Sequence, residues 1–231
     1  MTYILNIETT TKSCSVVISL NNDIVALKES QSSYTHSENI TIFISEVIRN
    51  AGISINLLDA IAVSRGPGSY MGLRIGVSTA KGLCYALNKP LIAVDTLGAM
   101  AFKASAIKND MKALYCPMLD ARRMEVYCAL YDSSNNNIVP TEAKIIDENS
   151  FEKELATAPI YFFGEGASKC KETLKNQPNA FFVDDYVMSA DALVPFALQN
   201  YNEKQFENLS YFEPFYLKDF IPGISRVKGL K

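Results

Sequence analysis

The stretch Ser64–Leu83, SRGPGSYMGLRIGVSTAKGL, limits the fold more than any other part of the chain. AIAVSR at 60–65 reads as a strand, Gly66-Pro67-Gly68-Ser69 breaks it, and Tyr70–Leu87 reads as a long helix. Glycines opening a helix leave unpaired N–H groups at the positive end of the helix dipole, which suits an anion. The segment is not a P-loop, because no Gly-Lys-Ser/Thr follows at the required spacing. Gly72, Gly76 and Ala80 fall four apart on one helix face, where small residues permit close approach to a strand or helix. An anion cradle and a packing face both stay open, with packing favoured by the turn and capping residues.

Upstream, Tyr3–Ile7, Cys14–Leu20 and Ile24–Glu29 form a three-strand antiparallel meander, with ETTTKS and Asn21-Asn22-Asp23 as its turns. Ile40, Phe43, Ile44, Val47 and Ile48 then give the spacing of an amphipathic helix ending near Gly52. PLIAVD at 90–95 adds a short strand. Three strands, helix, strand, helix, strand is the order of a ribonuclease-H-like lobe, a mixed sheet with helices on its faces.

A third helix is expected near Leu97–Lys108. The strands ALYCPMLD and EVYCALYD follow, joined by a turn at Ala121-Arg122-Arg123, with DSSNNN as a loop after them. A short helix near Phe151–Leu155, the strand IYFFG, a helix from Ala167 to about Lys175 and a last helix capped by Ser189 complete the reading. The element order of the first half recurs, shorter and less regular. The expected fold is α/β, with one ribonuclease-H-like lobe over residues 1–105 and a degenerate second lobe over 106–220. Residues 221–231 are expected to be a mobile tail carrying Arg226, Lys228 and Lys231.

With 22 basic against 25 acidic residues the net charge is -3, so any contact with nucleic acid must come from a local patch or a partner. Cys14, Cys84, Cys116, Cys128 and Cys170 are widely spaced without a C-x-x-C pair and read as buried thiols of a reducing compartment. The first residues are strand-like and lack a signal pattern, and no run reaches the roughly 18 apolar residues of a membrane span. A cytoplasmic protein without membrane contact is expected.

Glu8, Thr9 and Thr10 place a carboxylate at a strand end and hydroxyls in the turn, the arrangement that meets nucleotide phosphate and metal in phosphotransferases of this class. A hairpin turn whose hydroxyls satisfy their own backbone is an equal reading. His36, the single histidine, reads as a helix-start residue rather than a base. Asp120, Arg122, Arg123 and Glu125 read as a solvated hairpin corner, with phosphate or a partner's carboxylates as the alternative for the adjacent arginines.

Taken together, ILNIETTTKSCSVVI, SRGPGSYMGLRIGVSTAKGL, KPLIAVDTLGAMA, LDARRMEVY, GEGASK and FEPFYLKDF resemble the TsaB family over nearly the whole chain, most specifically at Arg65–Gly82. The resemblance implies a two-lobed fold of the actin/Hsp70/sugar-kinase type and a paralogue of TsaD. TsaD, with TsaB and the ATPase TsaE, transfers a threonylcarbamoyl group to an adenosine of tRNA. TsaD-like proteins carry a metal-binding H-x-x-x-H pair in a segment similar to Val94–Met100, and Thr96 and Met100 stand in those two places here. Neither suits a hard or borderline metal.

The resemblance therefore implies a non-catalytic subunit without cofactor or metal, its nucleotide turn at Glu8, Thr9 and Thr10 vestigial. The chain would bind and activate a TsaD-like catalytic subunit, work with a TsaE-like ATPase, and meet tRNA only through the complex. In the family, pairing with TsaD or with a second copy uses two helices of the first lobe. Ile40, Phe43, Ile44, Val47, Ile48, Leu73, Val77 and Cys84 are the apolar positions expected to supply that interface, or else to face the chain's own sheet. The competing function is a stand-alone kinase or a glycoprotease-like peptidase.

Overall fold

A computed structural model describes residues 1–30 and 36–218 of the chain. The expected tail at 221–231 lies outside the described residues. β1 (Tyr3–Glu8), β2 (Cys14–Leu20) and β3 (Asp23–Ser30) form the meander, followed by α1 (His36–Ala51), β4 (Ala60–Gly66), α2 (Tyr70–Leu87) and β5 (Leu91–Asp95). β1 pairs antiparallel with β2 and parallel with β4, giving the sheet order β3-β2-β1-β4-β5.

After α3 (Thr96–Lys108) the pattern repeats. β6 (Leu114–Asp120), β7 (Glu125–Tyr131) and β8 (Asn137–Ile145) form a second meander, and β9 (Ile160–Phe163) and β10 (Ala180–Val183) add parallel to β6, in the order β10-β9-β6-β7-β8. The helices between them are short: α4 (Glu152–Leu155) and α5 (Ala167–Leu174). Both sheets thus share one topology, and together they give the two-lobed α/β architecture expected from the sequence.

Side-chain alternation along β4 sorts the packing. Ile61 and Val63 point to one face and join α1 and α2, while Ala60 and Ala62 point to the other and join α3. The small residues let α3 come close, and α3 answers with Ala99, Ala101 and Ala104, all buried. Because α3 also meets Tyr115, Leu119 and Phe163 of the second sheet, one apolar cluster fixes the two sheets to each other. Residues Ala190–Leu193, a 3-10 turn, and α6 (Val194–Asn202) return to the first sheet against β1 and β5, although the sequence reading placed them with the second half.

The expected Ser189 cap is not made. Ser189 precedes the 3-10 turn and its hydroxyl donates to Glu29 at 2.7 Å, while Pro195 opens α6. At the end of α1, Gly52 takes a left-handed φ of 65°, which terminates the helix as expected.

Candidate functional site between the sheets

The site is built around the β1–β2 turn. Glu8, Thr9 and Thr10 are at most 2% exposed. The Glu8 carboxylate accepts hydrogen bonds from the Thr10 N–H at 2.5 Å, from the Thr10 hydroxyl, and from the Ser64 hydroxyl on β4. Burial pushes the Glu8 carboxyl above its ordinary range, and the Ser64 and Thr10 hydrogen bonds pull against that rise. The acid named as a nucleotide-site candidate is therefore tied to two neighbouring residues of its own chain.

The opening of α2 presses on this turn. Thr9 Oγ1 donates to the Gly72 carbonyl at 2.8 Å, and the Ser69 N–H donates to the Thr10 carbonyl at 2.7 Å. A Cβ at Gly72 would lie 1.9 Å from the Thr9 carbonyl oxygen, and one at Gly76 2.3 Å from Thr9 Oγ1. Ser69 caps the helix by accepting from the Gly72 N–H at 3.3 Å. Of the two readings of Ser64–Leu83, the close-packing one describes these contacts.

His36 opens α1 as expected, and its Nε2 donates to the Thr11 carbonyl at 2.8 Å, pinning the helix start to the same turn. On the facing sheet, the Glu165 carboxylate accepts from the Lys12 N–H at 2.7 Å. Gly164 and Gly166 flank it where side chains would meet Met118 and Leu119 of β6, with Cβ contacts of 2.6 and 2.9 Å. Between the sheets lies a cleft of ≈ 730 Å³, whose lining includes Lys12, His36, Ser69, Tyr70, Arg122 and Lys218. Of its lining residues, Asp120 is ion-paired with Lys169, and Lys218 with Glu125. Sequence reasoning did not single out Lys12, Tyr70 or Lys218. Lys12 directly follows the hydroxyl turn, which is the one signal that could have found it.

The two metal-pair positions are occupied by packing. The Thr96 hydroxyl accepts from the Gly66 N–H at 3.1 Å, and Met100 is fully buried in the cluster between the sheets. A thioether in apolar surroundings and a committed hydroxyl do not fit a divalent metal. Among the described residues, no group of three or more His, Cys, Asp or Glu could hold one.

The expected interface stripe requires correction. Ile40, Phe43, Ile44, Val47, Val77 and Cys84 are buried in the cluster beneath the first sheet, Ile48 packs against it half-buried, and Leu73 is 1% exposed. An amphipathic helix on a sheet turns its apolar stripe to the sheet, and these two helices do so. The outward surface is carried instead by Ile42 of α1 and by Met71 and Tyr85 of α2, which are 52%, 62% and 83% exposed.

Two sheets of identical order, joined through α3 beside a cleft, define the two-lobed fold shared by actin-like ATPases and sugar kinases. YeaZ from Pseudomonas aeruginosa shares the fold with a TM-score of 0.80 at 23% identity, covering 94% of this chain and 100% of that one. The profile of the family described as TsaD, tRNA N6-adenosine threonylcarbamoyltransferase, matches residues 29–220. The Escherichia coli tRNA threonylcarbamoyladenosine biosynthesis protein TsaB is 29% identical over 221 residues, 94% of each chain. Its Haemophilus influenzae counterpart is 35% identical over 127 residues, 54% of this chain and 51% of that protein. The chain belongs to this TsaD-related family, on its TsaB branch.

Proposed function

We propose that the chain is a non-catalytic subunit of tRNA threonylcarbamoyladenosine biosynthesis, acting in the cytoplasm with a TsaD-type catalytic subunit and a TsaE-type ATPase. The observation that carries this reading is the occupation of the metal-pair positions by Thr96 and Met100, one engaged with Gly66 and the other buried. The names of the relatives supply the pathway. Glu8 supports the same reading, since its carboxylate oxygens are taken by Thr10 and Ser64.

The outward faces of α1 and α2, with Ile42, Met71 and Tyr85, are the surface that would meet the catalytic partner or a second copy of the chain. Burying a large apolar side chain on association contributes about 1.5–3 kcal/mol before the cost of association is subtracted. Reconstituted threonylcarbamoyl transfer with a TsaD-type catalyst, a TsaE-type ATPase and ATP tests the proposal. Transfer should fall when this chain is omitted, and equal transfer without it would remove the proposed role.

A further inference from the structure

The loop between β6 and β7 is unusual for its residue types. Arg122 and Arg123 both have left-handed φ angles, 71° and 52°, a conformation that glycine and asparagine adopt far more readily. The loop is nevertheless held: Ala121 N–H donates to the Glu125 carbonyl and Glu125 N–H to the Arg122 carbonyl, each at 3.1 Å, and Arg122 N–H donates to Asp120 Oδ1 at 3.0 Å. Both arginines are exposed, and among the described residues neither guanidinium has an ion-pair partner.

The two acids of the loop are already committed. Asp120 pairs with Lys169 and Glu125 with Lys218, while Glu165 keeps its charge and accepts from the backbone of Lys12. Arg122 lines the cleft mouth together with Lys12, whose exposed side chain reaches it from the β1–β2 turn, and with Lys218. Outside these ion pairs, positive charge thus arrives from two separate segments, the Arg122-Arg123 loop and Lys12, in a chain whose net charge is -3. Repeating phosphates can meet such a spread, whereas one carboxylate meets one cation. Two guanidinium groups on a fixed loop also suit the bidentate geometry of phosphate oxygens.

We propose that the Arg122-Arg123 loop, with Lys12 across the cleft mouth, is a docking site for the phosphodiester backbone of an RNA substrate. The inference rests on the tRNA-modification reading above. Such contacts position RNA without reading its sequence, and each makes binding more salt-dependent.

The test replaces Arg122→Asn together with Arg123→Gly, residues that fit left-handed positions better, so that charge is removed while the loop is retained. The complex assembled with the catalytic partner is titrated with unmodified tRNA transcript over a range of salt concentrations. Affinity should fall on the order of 10-fold, and the slope of log affinity against log salt should shrink by about 1.5. Arg122→Lys with Arg123→Lys should restore most of the slope. Unchanged affinity and slope would overturn the inference. Loss of partner binding with an unchanged slope would also overturn it, by making the loop a protein contact. Stimulation of transfer by the unaltered chain is measured alongside: if it is absent, the function reading fails; if it is present but the double variant binds tRNA normally, only this inference fails.

Discussion

Thr9 and Gly72 stand against each other with no room for a side chain between them: the Thr9 hydroxyl donates to the Gly72 carbonyl at 2.8 Å, and a Cβ on Gly72 would fall 1.9 Å from the Thr9 carbonyl oxygen. This contact joins the β1–β2 turn to the opening of α2 and so fixes the floor of the cleft. Gly72→Ala should destabilise the protein by about 1–3 kcal/mol, because the obstructing atom is backbone and the turn must move. Gly82→Ala, on the same helix with nothing within 4 Å, should be neutral or stabilise by about 0.5–1 kcal/mol. Urea unfolding of the two variants checks the contrast.

Glu8 makes stability depend on pH. Its folded-state pKa lies above the ordinary value of 4.5, so the native state holds the proton more tightly than the unfolded chain does. Stability from this group is present below the unfolded pKa and is lost as pH rises toward and through the folded pKa. Glu8→Gln, which cannot ionise, should gain on the wild type as pH rises from 4.5 toward neutrality. Glu8→Ala should be less stable by about 1–3 kcal/mol near pH 4.5, because Ser64 and Thr10 lose their acceptor, and this deficit should narrow as pH rises. Melting temperatures across that range separate the three proteins.

Val47 and Tyr85 separate core from outward surface on neighbouring helices, at 0% and 83% exposure. Val47→Asp buries an unpaired charge and should cost more than about 3 kcal/mol, leaving little folded protein. Tyr85→Asp should change stability by less than about 0.5 kcal/mol and weaken binding to the catalytic partner. Circular dichroism and partner affinity, measured on both variants, check these outcomes.

The cysteines should be silent toward thiol reagents while the protein is folded. Burial pushes Cys14 up to about 11, with Glu8 adding to the rise, and pushes Cys84 up to about 12. Since the thiolate is the reactive form, labelling by a disulfide reagent at pH 8 should wait on unfolding and then release all five thiols. Fast labelling of any of them in native protein would contradict the packing described.

The first meander and both long helices were legible because each combines a clear period with clear punctuation, as in Ile40–Ile48 ending at Gly52. β8 was not, since Asn137–Ile145 has no fully buried residue, contains Pro140 and follows a polar loop, the marks of an edge strand. β10 is four residues long and half-buried, too short for a period to show. The stripe on α1 was read correctly as apolar, but periodicity does not say what covers a face, and the chain's own sheet covers it. The cleft was least legible: Lys12 and Glu165 meet across 153 residues of sequence, which no local pattern spans.

Under the proposed function this chain acts through a partner and performs no chemistry itself. The most direct measurement is the initial rate of threonylcarbamoyl transfer to tRNA as the chain is titrated into a fixed amount of TsaD-type catalyst, with the TsaE-type ATPase and ATP present. The rate should rise and saturate at an equimolar ratio, shift to higher concentration with Tyr85→Asp, and be zero when the catalyst is left out. Transfer by the chain alone, or a rate indifferent to its addition, would contradict the proposed role.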